Sequence, residues 1–149
     1  MKKEFTFTFD IKPNKKLGGW RKILHINNNG KSCCEVGSRL PGIWFNGNSY
    51  RLHICFAING KGNDCWNDNK DLPEKKFSNI KVEQVKEDDK YIFKIWKDGE
   101  EVFKKENKDA REFKDAKLYG SFGVGNYADV DLKGVAFQNS GNKYCTVDT

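Results

Sequence analysis

The sequence predicts an all-β fold, a sandwich of two antiparallel sheets. The first observation is a hydrophobic period of two residues along most of the chain, as where Phe5, Phe7 and Phe9 alternate with Thr6 and Thr8. Such alternation is typical of strands that have one face in a core and one face in water. The second observation is that Asn-, Asp- and Gly-rich turns separate these segments. Many short strands joined by such turns favour a sandwich or a barrel.

About ten strands are expected from this pattern. The clearest are at 5–10, 20–26, 43–45, 51–58, 77–85, 91–96, 101–105, 113–122 and 130–137. Asp98-Gly99 predicts a tight hairpin turn, and Gly134 predicts a bulge because the alternation changes phase there. Residues 59–76 are polar and predict a long irregular loop. No segment has a helical stripe of more than two turns.

The chain is the length of one domain with a core of its own. No internal repeat or linker divides it, so residues 1–139 are predicted to form a single β-sandwich domain. Residues 140–149 are predicted to be a C-terminal tail, unless Cys145 ties them down.

The formal net charge of +6 and the pI of about 9.0 raise the question of an anionic partner. Most lysines alternate with apolar residues, as Lys90, Lys94 and Lys97 do, which is typical of solvated strand faces. A nucleic-acid partner is therefore not expected, and a site for another polyanion is kept as a lesser hypothesis. No apolar run reaches the roughly 18 residues that span a bilayer, so no membrane insertion is expected. The first residues have no apolar signal region, which predicts a cytosolic protein or a mature domain.

Seven segments resemble, in order and spacing, the concanavalin A-like and laminin-G-like jelly-roll superfamily, particularly its invertebrate secreted and cell-surface modules. They are FTFTFDIKPN at 5–14, GGWRKILHI at 18–26, GSRLPGIWF at 37–45, LHICFAINGKGND at 52–64, YIFKIWKDGEEVF at 91–103, FKDAKLYGS at 113–121 and LKGVAFQN at 132–139. The resemblance implies a jelly-roll sandwich in which the final strand pairs near the first. It concerns strand order and carries no catalytic signature.

Some members of this superfamily are glycosidases, which need two carboxylates beside the scissile bond. The glucanase relatives carry them as Glu-x-Asp-x-Glu on one strand, and no such string occurs in this chain. His25 and His53 have no HxH or HExxH spacing and are expected to be structural. The chain is therefore predicted not to be an enzyme.

The five cysteines include no CxxC pair, which argues against a zinc knuckle. If the hairpin of 43–58 turns near residue 47 or 48, Cys34 lies close to Cys65 across its base. A Cys34–Cys65 disulfide is predicted, with Cys33 as the alternative partner, while Cys55 is expected to be a buried free thiol. Disulfides favour an oxidising compartment, so an extracellular or cell-surface location is predicted.

The loop after residue 58 is the predicted ligand-binding segment. Asp64, Trp66, Asn67 and Asp68 are its candidate binding residues, and Tyr127 in a second loop joins them. Trp66 could stack on a sugar ring or pin the loop to the core. Asp64, Asp68 and Asp71 offer the oxygen ligands of a calcium site, which relatives often carry at the sandwich rim. The alternative is that these residues are present because loops favour Asn, Asp and Gly.

These observations predict a non-catalytic extracellular module that recognises a glycan or glycoprotein through its rim loops. The alternative is a structural or adhesion module that binds a protein partner or self-associates. In that case an exposed edge strand at 5–10 would pair between copies and produce a homo-oligomer.

Overall fold

The computed structural model describes residues 1–120 and 126–139, and the backbone of Cys145–Thr146. All of its regular elements are strands. They are β1 (Phe5–Lys15), β2 (Arg21–Asn27), β3 (Gly42–Phe45), β4 (Leu52–Ile58), β5 (Lys61–Asn67), β6 (Ser78–Glu87), β7 (Lys90–Lys97), β8 (Glu100–Glu106), β9 (Lys117–Tyr119), β10 (Asp129–Asn139) and β11 (Cys145–Thr146). The described part of the chain contains no helix long and apolar enough to cross a membrane.

The strands form two antiparallel sheets, as the alternation predicts. One sheet has six strands in the order β11-β10-β1-β6-β7-β8, and the other has five in the order β5-β4-β3-β2-β9. β1 pairs with β10, so the late strand lies beside the first. Because β1 is bonded on its other side to β6, the expectation of an exposed edge strand at 5–10 is wrong.

The core between the sheets is aromatic and aliphatic. The alternating residues Phe5, Phe7 and Phe9 of β1 are at most 2% exposed. Phe56 of the five-stranded sheet stacks on Phe93 of the other sheet, with 4.8 Å between ring centroids, and lies 5.3 Å from Phe5. Burying large rings from both sheets is the main favourable contribution to folding, and it sets which face of each strand points inward.

Two turn predictions are confirmed. Asp98 and Gly99 both have positive φ, at 50° and 79°, and join β7 to β8. This is the backbone of a two-residue hairpin turn, in which glycine avoids the strain of a side chain. Gly134 has φ 61°, and the register between β1 and β10 shifts between Thr8 and Asp10 opposite it, as expected of a bulge.

Two segments differ from expectation, and part of the predicted tail is paired with β10. The predicted loop 59–76 contains β5, which pairs with β4 despite its polar sequence. Residues 113–122 form a strand only at Lys117–Tyr119, and residues 121–122 lie outside the described residues. Within the predicted tail, Cys145 and Thr146 pair with Phe137 and Ala136. The other tail residues lie outside the described residues.

The disulfides also differ from expectation. Cys55 is bonded to Cys65, and Cys33 is bonded to Cys34, so the predicted Cys34–Cys65 pairing is wrong. The reason is the unforeseen strand β5, whose register puts Cys65 directly opposite Cys55. The loop containing Cys34 does come close to this strand, because a Cβ on Gly62 would collide with the backbone of Cys34 and Glu35.

Disulfide mapping checks this pairing. Trypsin cleaves after Lys61, between Cys55 and Cys65, so the two cysteines should appear in separate peptides that are linked until reductant is added. Removing the bridge in a Cys55→Ala/Cys65→Ala variant should lower the free energy of unfolding by about 3 kcal/mol in the chain-entropy model. A linked pair containing Cys34 and Cys65 would contradict the structure.

Candidate functional site

The outward face of the five-stranded sheet carries two adjacent rows of polar and aromatic side chains. The inward face of the same strands holds core residues such as Ile43 and Ile54, so their sequence neighbours point outward. Register aligns them across the strands. The first row consists of Tyr127, Lys22, Trp44, His53 and Asn67. The second row consists of Tyr119, His25, Gly42, Cys55 and Cys65.

Trp44 forms the centre of this face. Its indole lies over Gly42, where any Cβ would collide with the ring. The Arg39 guanidinium lies 4.3 Å from the ring centroid, and the rings of His25 and His53 approach it edge-on at 5.4 and 6.0 Å. These neighbours leave Trp44 only 7% exposed although it points away from the core. A guanidinium over an indole is a favourable cation–π arrangement.

Arg39 is anchored from the loop between β2 and β3. Its Nε donates to the carbonyl of Ser32 at 2.9 Å, and its Nη1 donates to Asn63 Oδ1. Nη1 also lies 3.5 Å from Cys55 Sγ. Burial lowers the pKa of Arg39, but an arginine stays charged at any physiological pH. The face therefore has one fixed positive charge at its centre.

His53 is held in one tautomer. Its Nδ1 lies 2.7 Å from Asn67 Oδ1, which can only accept, so Nδ1 carries the proton. Nε2 then has a free lone pair and lies 3.1 Å from Cys55 Sγ, a disulfide sulfur that has no proton to donate. Burial lowers the pKa of His53; the Asn67 contact opposes this and the Arg39 charge adds to it. His53 is thus neutral near pH 7, with an unprotonated Nε2.

The second histidine is more deeply buried. His25 is 4% exposed and its Nε2 contacts the carbonyl of Ser38. Burial lowers its pKa, and the charges of Arg39 and Lys22 lower it further. His25 supports Trp44 from the side away from His53. Its placement matches the expectation of a structural histidine, whereas His53 faces an open cavity.

That cavity has a volume of about 280 Å³ and is lined by Trp20, Arg39, Trp44 and His53. Trp20 is 48% exposed, and its ring meets His53 edge-on at 4.7 Å. The segment before it is tied to the β3–β4 turn, because Gly19 N donates to Asn48 Oδ1 at 3.0 Å. An indole fixed in this way beside a charged group and a neutral base suits a sugar ring, whose CH-rich face stacks on aromatic side chains.

The three predicted calcium ligands point to different partners. Asp64 pairs with Lys105, and Asp68 pairs with Lys97 at 2.6 Å. Asp71 lies 3.5 Å from Lys16 and 3.6 Å from Arg51. A calcium site needs several oxygens converging on one point. Each carboxylate is instead occupied by a cation, so the structure gives no support to this calcium site.

The predicted binding residues separate into two groups. Trp66, Asn67 and Asp68 border a second cavity of about 420 Å³ near Lys97, but Trp66 packs against the core, as the second of its two alternatives expected. Asp64 is held by Lys105, as above. Asn67 and Tyr127 lie at opposite ends of the first row, and Tyr127 is 36% exposed. The part of these five residues in ligand binding stays a prediction.

Sequence reasoning did not identify Trp20, Arg39, Trp44 or His53 as one site. The signal was present for two of them, because Trp44 and His53 are out of phase with the core residues on their strands. Arg39 and Trp20 come from loops, and period-two patterns do not report the positions of loop side chains.

The contact between Trp44 and Gly42 can be tested by adding one methyl group. Gly42→Ala should displace the indole and lower the free energy of unfolding by about 1–3 kcal/mol, the usual cost of overpacking. Tryptophan fluorescence and denaturant unfolding measure both effects. Gly120→Ala is the matched control, since among the described residues no atom beyond its chain neighbours lies within 4 Å of the added Cβ. Equal stability of the two variants would contradict the contact.

The two histidines make stability depend on pH. Both pKa values are lowered in the folded state, so the unfolded chain binds protons first as the pH falls below about 6.5. The histidines therefore leave stability unaffected above that pH, and the free energy of unfolding should decrease as the pH falls towards the folded-state values. Denaturant unfolding between about pH 7 and pH 5 checks this. The same slope in a His25→Gln/His53→Gln variant would contradict it.

Comparison with known proteins bears on the fold. No family model matches the chain, and no curated protein matches it. Among solved structures, the crystal structure of endo-β-1,4-glucuronan lyase from the fungus Trichoderma reesei matches with a TM-score of 0.61 and 15% identity, over 92% of this chain and 68% of that chain. The predicted fold, a two-sheet antiparallel jelly-roll sandwich, is confirmed. The matched protein is an enzyme, so the prediction of a non-catalytic glycan-binding or adhesion module is wrong.

Proposed function

We propose that this protein is a polysaccharide lyase that cleaves a uronate-containing polysaccharide by β-elimination on the outward face of the five-stranded sheet. The observation that carries the proposal is the neutral His53, with its Nε2 unprotonated, beside the Arg39 guanidinium in an open cavity. The matched fold of a glucuronan lyase supports the same class of reaction.

The chemistry of β-elimination sets three requirements. A base removes the proton from the sugar carbon that bears the carboxylate, and this proton is weakly acidic while the carboxylate is charged. A cation or hydrogen-bond donor must therefore stabilise the negative charge that develops on the carboxylate. An acid then donates a proton to the leaving glycosidic oxygen.

Each requirement has a residue on this face. Arg39 supplies a fixed charge in the fork geometry that suits a carboxylate. His53 is the base, since a neutral histidine matches proton transfer near pH 7. Tyr119 of the second row is the candidate acid, because a phenol can donate a proton to an oxygen.

Elimination is favoured over hydrolysis by the charges on the face. Glycoside hydrolysis generally uses two carboxylates on either side of the scissile bond. None of the ten described residues in the two rows is acidic. Arg39 and Lys22, with no carboxylate among the ten row residues, would attract an anionic polymer, which the net charge of +6 would also draw towards the protein.

Substrate binding would use the indoles and the ends of the rows. Trp20 is exposed enough to stack on a sugar ring beside His53. Asn67 and Tyr127, predicted from the sequence as ligand-binding residues, would contact sugars on either side of the reacting unit. The glycan partner expected from the sequence becomes in this proposal a substrate. The two disulfides support an extracellular location, where such polymers occur.

Ultraviolet absorbance tests the reaction, because elimination creates a conjugated unsaturated uronate at the new chain end. We expect absorbance to rise with at least one of polyglucuronate, alginate, polygalacturonate and the glycosaminoglycans. His53→Gln should lower kcat by at least ~100-fold, the lower end of the usual contribution of a general base. Arg39→Lys should raise KM and lower kcat, because an ammonium cannot reproduce the guanidinium fork.

Lys81→Gln is the control variant. Lys81 lies 4.6 Å from the Trp96 ring on the outward face of the six-stranded sheet, so the change should leave activity unaltered. New reducing ends without ultraviolet absorbance would indicate hydrolysis and would overturn the proposal. So would unchanged activity in His53→Gln.

A further inference from the structure

His53, which lines the cavity, also belongs to a cluster of three side chains that can ligate a metal. The ligand atoms of His53, Cys55 and Cys65 all lie within 4.8 Å of one another. Cys55 and Cys65 are directly opposite each other on β4 and β5, and His53 precedes Cys55 by two residues on the same face. Two sulfurs and one imidazole nitrogen form the donor set that zinc prefers, in a site that leaves a fourth position open.

We infer that reduction of the Cys55–Cys65 disulfide creates a Cys2His site for a zinc-class divalent cation. In the oxidised chain the two sulfurs are joined and cannot bind as thiolates. A dithiol reductant would supply two electrons and two protons by exchange, would itself become a disulfide, and would leave two protein thiols. Binding of the cation then releases the two thiol protons to solvent.

The surroundings already favour ligation. Asn67 Oδ1 accepts from His53 Nδ1 and so leaves the lone pair on Nε2, which lies 3.1 Å from Cys55 Sγ. Metal-bound histidines typically have such a partner on their other nitrogen. Arg39 Nη1, 3.5 Å from Cys55 Sγ, would stabilise a thiolate. Asn63 Oδ1, 3.0 Å from Cys65 Sγ, places a further polar group beside the second sulfur.

The pairing of β4 with β5 holds the three ligand side chains close together. All three ligands are on two hydrogen-bonded strands whose inward neighbours, such as Ile54, are fully buried in the core. Reduction breaks one covalent bond without removing the strand pairing that holds the side chains together. The other bonded pair, Cys33 and Cys34, lies in a loop. Among the described residues, neither of these cysteines belongs to a group of three side chains that could hold a metal ion.

Metal binding at this site would also affect catalysis, and this consequence rests on the proposed function. A cation bound at Nε2 would occupy the lone pair that removes the substrate proton. The oxidised chain would then be the active form, and the reduced, metal-bound chain would be inactive. Metal binding itself does not depend on that function and can be measured without any polysaccharide.

Cobalt titration tests the site, since Co²⁺ reports thiolate ligands and tetrahedral geometry by its absorption. The chain used is a Cys33→Ser/Cys34→Ser/Cys145→Ser variant, in which the remaining cysteines are Cys55 and Cys65. A phosphine reduces the disulfide, taking oxygen from water to become its oxide, and does not compete as a thiol. We expect one equivalent of Co²⁺ to produce sulfur-to-cobalt charge-transfer bands, which one equivalent of Zn²⁺ removes. The oxidised chain should show none.

Two further variants assign the ligands. His53→Gln should weaken Co²⁺ binding by at least about tenfold, because loss of even an outer-shell partner of a ligand typically costs that much. His25→Gln is the matched control, because His25 is the other of the two histidines and lies outside the cluster; it should bind normally. Absence of the charge-transfer bands in the reduced, folded chain would overturn the inference, as would equal binding by His53→Gln.

Far-ultraviolet circular dichroism covers the case in which reduction alone unfolds the chain. The inferred site belongs to the folded sheet, so one equivalent of Zn²⁺ should then restore the β-sheet spectrum. Failure to restore it would overturn the inference. Polysaccharide cleavage by the oxidised chain is measured separately, so a missing metal site and a missing lyase activity give different results.

Discussion

Cross-strand register in the five-stranded sheet is the constraint on which the site depends. The pairing of β2, β3, β4 and β5 brings Lys22, Trp44, His53 and Asn67 into one row. A slip of one residue in any strand would exchange its core and solvent faces. The buried aromatic residues oppose such a slip, because it would expose rings such as Phe56 to water. Core packing therefore places the chemistry on the other face.

Partial burial of the side chains on the outward face determines their protonation states and the strength of their electrostatic interactions. Arg39, Trp44 and the two histidines cover one another, which excludes water and makes the neutral state of each histidine favourable. Desolvation is the largest cause of the lowered pKa of both His25 and His53. The same low-polarity surroundings strengthen the field of the Arg39 charge. A neutral base and a fixed cation can therefore coexist within one small cavity.

Sequence patterns were sufficient where local chemistry decides structure. A buried strand face is predicted by the alternation of Phe5, Phe7 and Phe9, and a hairpin turn is predicted by Asp98-Gly99. Strand alternation and turn type both depend only on residues that are close in the sequence. The sequence pattern does not predict β5, because its polar residues gain their strand conformation from pairing with β4 and not from their own propensity. The disulfide of Cys65 is not predictable from the sequence for the same reason, since the position of Cys65 depends on the register of β5.

The sequence by itself determined the class of fold, the residues that form the core and the excess of positive charge, because alternation and composition are local or summed properties. Tertiary structure alone decided which polar residues meet. Two separate loops bring Trp20 and Arg39 to the cavity that His53 lines. Pairing of β4 with β5 places Cys65 opposite Cys55, and the sequence pattern of β5 does not predict that pairing. These contacts depend on the strand register and on the paths of the loops. Packing of the whole core stabilises that register, so no single segment of the sequence predicts the contacts.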